Sequence, residues 1–151
     1  MQQQFLHGLT ADLASQEPPK YAPVYFYGEP EQVSAVLSDI QQRYEAANPG
    51  KCTLLIRGAD FVEQIVRAFL EHTEQAYLMQ LRQADMLLFD GVEAICGRGF
   101  AEWEVFSMVD HYLERGRRIA FGAQQLPSGL TRLAERVRTQ LEGCVICSVP
   151  E

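Results

Sequence analysis

The sequence predicts an α/β fold, a three-layer α/β/α sandwich on a five-stranded parallel sheet, and three observations carry that expectation. Five short apolar runs recur along the 151 residues, each bounded by turn residues. Segments with apolar residues at helical spacing separate them. This alternation favours parallel pairing through right-handed crossovers, with helices on both faces of the sheet.

The elements follow in order. Met1–Gln4 are polar and Gln16–Pro23 carries three prolines, so residues 1–21 read as an N-terminal extension and linker, and residues 22–151 as the core. Val24-Tyr25-Phe26-Tyr27 is the first strand, ended by Gly28. Val33, Val36, Leu37, Ile40 and Tyr44 then share a helical stripe, which Asn48-Pro49-Gly50 stops. Cys52–Ile56 is the second strand. The tract from Asp60 to Gln83 is long for one helix and is expected to break near His72-Thr73-Glu74. Met86–Phe89 is the third strand, and Trp103, Phe106, Val109, Tyr112 and Leu113 mark a helix closed at Gly116. Ile119–Gly122 is the fourth strand. Leu130, Leu133, Ala134, Val137 and Leu141 mark a further helix, and Cys144–Val149 the fifth strand.

Composition narrows the function classes. With 47% hydrophobic and 22% charged residues, the chain suits one globular domain. A net charge of -7 argues against generic attraction to nucleic acid, which depends on Lys and Arg neutralising phosphates. No apolar run approaches the roughly 20 residues of a membrane span, and no basic-then-apolar leader pattern is present, so a cytoplasmic protein is expected. Cys144-Val145-Ile146-Cys147 has C-x-x-C form, but it lies in a strand, where residues three apart face opposite ways. The four cysteines are therefore read as buried or partly buried structural thiols. His7, His72 and His111 have no partner at ligand spacing, and no metal site is expected.

Ligands of parallel α/β sheets bind at the carboxyl ends of the strands. There, Asp85-Met86-Leu87-Leu88-Phe89-Asp90-Gly91 ends a buried strand on a carboxylate, where P-loop enzymes hold the magnesium ion of a nucleoside triphosphate. A phosphate cradle also needs several glycines, a lysine and a Ser or Thr. After the first strand the chain reads Gly28-Glu29-Pro30-Glu31-Gln32-Val33-Ser34, with one glycine and two carboxylates. Its only lysines, Lys20 and Lys51, each precede a strand, at the wrong end of the sheet.

The succession Ala22–Gly28, Asn48-Pro49-Gly50, Asp60-Phe61-Val62 and Ala84–Asp90 resembles the AAA+ ATPase core of the DnaA replication-initiator family. So do Val92–Gly97, Trp103-Glu104, Leu113–Gly116 and Leu133–Arg136, which are also similar to the shorter Hda-type regulators. The resemblance covers residues 22 to 150 and implies a fold like that of P-loop NTPases of the AAA+ type. It implies a vestigial nucleotide site with a degenerate Walker A motif: Gly28 and Glu29 in the loop, and Val33 and Ser34 where the family has its lysine and threonine. Asp90 matches the magnesium-holding aspartate, Gly91 replaces the acid after it, and Gln124 lies by the polar sensor position. The family's intersubunit arginine falls near Gln140, with Arg136 and Arg138 beside it. The family's helical lid and DNA-binding domain have no counterpart in these residues. Arg98, in Gly97-Arg98-Gly99, is a further candidate contact.

The expectation is thus a domain without catalysis and without a cofactor, which acts by binding protein: a replication initiator or another copy of itself. Nucleic acid is expected to bind indirectly if at all, and no membrane is implied. A weak ATP-binding or ATPase protein using Asp90 is the alternative. A receiver-like signalling domain, with Asp90 as phosphoryl acceptor, is a third reading, for which Glu29 and Glu31 are poor partners. Without such roles Glu29 and Glu31 are first-turn acids, Trp103 anchors its helix, and Arg115, Arg117 and Arg118 form a solvated turn.

Overall fold

Odd and even strand positions face different helical layers, and this alternation organises the molecule. The computed structural model describes residues 2–151, so Met1 lies outside the described residues. The elements are α1 (Gln2–Ala14), β1 (Val24–Tyr27), α2 (Pro30–Ala47), β2 (Thr53–Arg57), α3 (Gly58–Glu71), α4 (Glu74–Leu81), β3 (Met86–Asp90), α5 (Gly99–Glu114), β4 (Arg118–Ala123), α6 (Glu135–Glu142) and β5 (Val145–Ser148). Short 3-10 turns cover Val92–Ile95 and Pro127–Gly129.

The sheet is wholly parallel, in the order β2-β3-β4-β1-β5. Val24, Phe26, Met86, Leu88, Ala120 and Cys147 pack under α1 and α2. Tyr25, Leu87, Phe89, Ile119 and Phe121 pack against α3, α4, α5 and α6. Three layers result, as expected. The break between α3 and α4 falls at His72-Thr73, where His72 takes a left-handed conformation (φ 59°). Among the described residues no helix is long and apolar enough to cross a membrane.

Four expectations are corrected. Residues 1–21, read as an extension and linker, contain α1, whose Leu6, Leu9, Leu13 and Ala14 are buried in the core under the sheet. The stripe was hidden by the polar start and by Gly8 at mid-helix. The last helix begins only at Glu135; Leu130 and Leu133 are buried from the preceding turns instead. Cys52 is exposed at the foot of β2, whereas Cys144 and Cys147 are buried on opposite faces of the sheet. A receiver-like domain is ruled out by strand order. Receivers place β1 next to β3 in the order 2-1-3-4-5, while here β4 lies between β3 and β1.

Candidate functional site

Only Gly28 and Glu29 separate the end of β1 from the start of α2. The turn is held tightly: Gly28 N–H donates to the Ala123 carbonyl (3.1 Å), Val149 N–H to that of Tyr27 (2.8 Å). A side chain at Gly28 would meet the Val149 carbonyl oxygen at 2.8 Å. Helix α2 then opens on Pro30, which has no N–H to offer an anion, and its first turn carries Glu31. Val33, at the position expected for a phosphate-binding lysine, is 1% exposed and belongs to the core under α2. Ser34 faces the other way, and its hydroxyl donates to Asp90 Oδ2 at 2.6 Å.

Asp90 ends β3 opposite Arg57 of β2 and Gly122 of β4. The chain then turns sharply at Gly91, whose φ of 97° suits glycine and strains any other residue. A methyl group on Gly58 would overlap the Gly91 carbonyl, so the two strand ends are in close backbone contact. The position where the family resemblance leads one to expect an acid is therefore taken by a turn that selects glycine.

Two adjoining cavities, of about 630 and 570 Å³, open over these strand ends and share Glu31, Ser34, Arg57 and Asp90. The larger is floored by apolar Leu55, Ile56, Phe61 and Leu81, with Asp60 on its rim. The smaller adds Glu93 and Gln124. Carboxylates thus outnumber the guanidinium of Arg57 among the lining groups. Glu93 braces the loop after β4, since its Oε2 accepts from the backbone N–H groups of Gln124 (2.7 Å) and Gln125 (3.3 Å). Beneath it, Tyr25 donates its hydroxyl to the Gln125 carbonyl. Burial first, then the Glu93 carboxylate, push the Tyr25 pKa up. Among the described residues no group of three or more His, Cys, Asp or Glu could hold a metal.

The structure brings together Gly28, Glu29, Ser34, Asp90, Gly91 and Gln124 around these ends, with Val33 packed beneath them. The other candidates lie elsewhere. Arg136 stacks its guanidinium over the Trp103 ring (4.3 Å), which itself stacks on Phe106. Trp103 is half-exposed, packed on Phe106 of its own helix and covered by the arginine. Arg138 reaches Glu142 (3.8 Å), and Gln140 donates to the Phe106 carbonyl (3.2 Å), tying α6 to α5. Arg98 is exposed at the start of α5.

Sequence reasoning missed Arg57, Glu93 and Glu102. Arg57 reads as the polar end of a strand and gains its place only through its register with Asp90. Glu102 is 4% exposed, and its two carboxylate oxygens accept from Gly97 N–H (2.8 Å) and Ala134 N–H (2.6 Å), joining the starts of α5 and α6. The available signal was a glutamate in the first turn of each helix, which also suits ordinary capping.

The family model of the bacterial DnaA ATPase domain matches residues 2–148, and the chain belongs to that family. The chromosomal replication initiator protein DnaA of Caulobacter sp. (strain K31) is 25% identical over 151 residues, covering 97% of this chain and 30% of that protein. The same protein of Sphingopyxis alaskensis is 26% identical over 138 residues, covering 91% of this chain and 30% of that protein. The chain thus spans about 30% of the length of these curated relatives. Among solved structures, domain III of the Thermotoga maritima replication initiation protein DnaA superposes with a TM-score of 0.90 at 17% identity, over 99% of this chain and 62% of that one. AMPPCP-bound DnaA from Aquifex aeolicus gives 0.82 at 19% identity, over 97% of this chain and 44% of that one. The DnaC helicase loader gives 0.70 at 11% identity, over 98% and 85%. The fold is that of AAA+ P-loop ATPase domains.

Proposed function

We propose that this DnaA-family domain acts in DNA replication initiation or its regulation by binding a protein partner, a replication initiator or a second copy of itself, and that it neither binds nor hydrolyses ATP. The observation that carries the reading is the two-residue turn from β1 to α2, closed by Pro30 and backed by buried Val33. A triphosphate is held by several converging backbone N–H groups and a lysine. This turn supplies neither, and Glu31, Asp60, Asp90 and Glu93 add repulsion. Gly28, Glu29, Val33, Ser34, Asp90, Gly91 and Gln124 are on this reading the remains of a nucleotide site. Exposed apolar side chains on α3 and α5 favour a protein partner. Leu70 is 78% exposed, and the half-exposed rings of Phe69 and Phe100 meet edge to face at 6.4 Å. Arg98 lies exposed just before Phe100 as a polar contact.

One observation favours the alternative of weak nucleotide binding: Ser34 and Asp90 are hydrogen-bonded beside an open cavity with Arg57 on its wall. Titration with ATP and magnesium separates the two readings. No binding in the micromolar range and no phosphate release are expected; micromolar binding or measurable phosphate release would overturn the non-catalytic reading. Co-elution of the chain with the replication initiator of its own cell, or with itself, tests the other half. Loss of co-elution in Phe69→Asp would support it, and a chain that stays monomeric and unbound would overturn it.

A further inference from the structure

The basic run Arg115, Arg117 and Arg118 divides in space. Arg118 turns under α1 and α2, where it is 8% exposed, donates to the Ser15 and Glu17 carbonyls and lies 4.7 Å from the Tyr44 ring centroid. Arg117 turns the other way and donates to the carbonyls of Arg82 (2.8 Å) and Ala84 (3.3 Å). There it joins Arg82 and Arg115 around a cavity of about 390 Å³ that His111 also lines. Three guanidiniums thus reach one space from the end of α4, the end of α5 and the start of β4.

Their internal bonds leave donors over. Arg115 spends one nitrogen on the His111 carbonyl at 3.3 Å, and its side chain is exposed. Arg82 donates to Ser107 Oγ (3.0 Å), lies 4.0 Å from Glu104, and has a buried Nε with no partner among the described residues. Each guanidinium carries five N–H donors, so helix capping accounts for a minority of those present. Burial first, then the charge of Arg115, lower the His111 pKa, against a backbone hydrogen bond at Arg82 that raises it; the charges of Arg82 and Arg117 lower it further. The imidazole is therefore neutral near pH 7, adding a hydrogen-bonding group without adding to the repulsion.

We propose that this cavity binds a small multivalent phosphate-type oxyanion, a pyrophosphate or a phosphate monoester. Donors converging from three elements match a tetrahedral group with oxygens in several directions, whereas a carboxylate presents two oxygens in one plane. The cavity lies at the amino ends of β3 and β4, the opposite end from the strand-end cavities.

Calorimetric titration of the full chain with pyrophosphate at low ionic strength, together with the His111 imidazole resonances, tests this. Saturable binding is expected, weakening as salt rises, with His111 shifting and its pKa rising in the bound state. Arg115→Gln should weaken binding about tenfold by removing one charged donor, and Arg82→Gln should do the same if Arg115→Gln fails to fold. Citrate at equal concentration should bind more weakly. Absence of saturable binding at millimolar pyrophosphate, unchanged affinity in both variants, or citrate binding as tightly would each overturn the proposal.

Discussion

The cavities at the two ends of the sheet are lined by charges of opposite sign. At the carboxyl ends of the strands stand Glu31, Asp60, Asp90 and Glu93 around a single guanidinium, Arg57. At the amino ends stand Arg82, Arg115, Arg117 and Arg118, with Lys51 near Asp85 before β2. The crossovers of a parallel sheet aim helix N-termini at the carboxyl end, which makes that end attractive to anions. Here acids fill the first turns of α2, α3, α5 and α6: Glu31, Asp60, Glu102 and Glu135. Each such pairing contributes about 0.3–1 kcal/mol of stability. The positive potential that could serve a phosphate there faces the protein's own carboxylates, while Arg82, Arg115 and Arg117 share one cavity at the far end.

The largest test of this contrast is Gly58→Ala. Its methyl group would collide with the Gly91 carbonyl, forcing β2 and β3 apart at the acidic end, with an expected loss of about 3 kcal/mol or more in denaturant unfolding. Next comes Arg118→Ala at the basic end. It leaves the Ser15 and Glu17 carbonyls without their donor and frees α1, with an expected loss of roughly 2–3 kcal/mol. A loss under half that size would mean that Arg118 is solvated charge rather than a structural tie.

Between the two ends, titration supplies the third test. Burial pushes the Cys144 thiol from an ordinary 9.0 to about 12, and chiefly burial pushes the Tyr112 hydroxyl from 10.0 to about 12. A group whose pKa is raised on folding contributes stability that is intact below its unfolded pKa and is lost as pH rises toward the folded one. Unfolding free energy should therefore hold to about pH 9 and then fall toward pH 12, by about 1 kcal/mol at pH 10 from the thiol. Cys144→Ala should flatten the onset of that fall. The smallest effect is expected of Ser34→Ala, which removes the hydroxyl bond to Asp90 and costs about 1 kcal/mol. A gain in stability there would mean that Ser34 is held against its preference.

Strand alternation and helix breaks were open to reading because they are local: Val24 and Phe26 must face away from Tyr25, and His72-Thr73-Glu74 interrupts a helical stripe wherever it is placed. The single glycine and the two carboxylates that follow β1 were legible for the same reason. Helix α1 escaped because its apolar stripe is sparse and gains stability only against a neighbour, here α2 and the sheet. Arg136 was named from its position near a family arginine, but its stack on Trp103 arises from the packing of α6 on α5.

The sequence by itself determined the layers, the parallel sheet, the missing lysine and the carboxylate at the end of β3, since each follows from side-chain period or residue type. Tertiary structure alone decided that Arg57 stands beside Asp90, that Glu93 and Glu102 hold distant backbone N–H groups, and that adjacent Arg117 and Arg118 serve opposite faces. Those outcomes depend on strand register and on which element lies over which, and contacts between residues 31 to 103 positions apart leave no local trace in a chain.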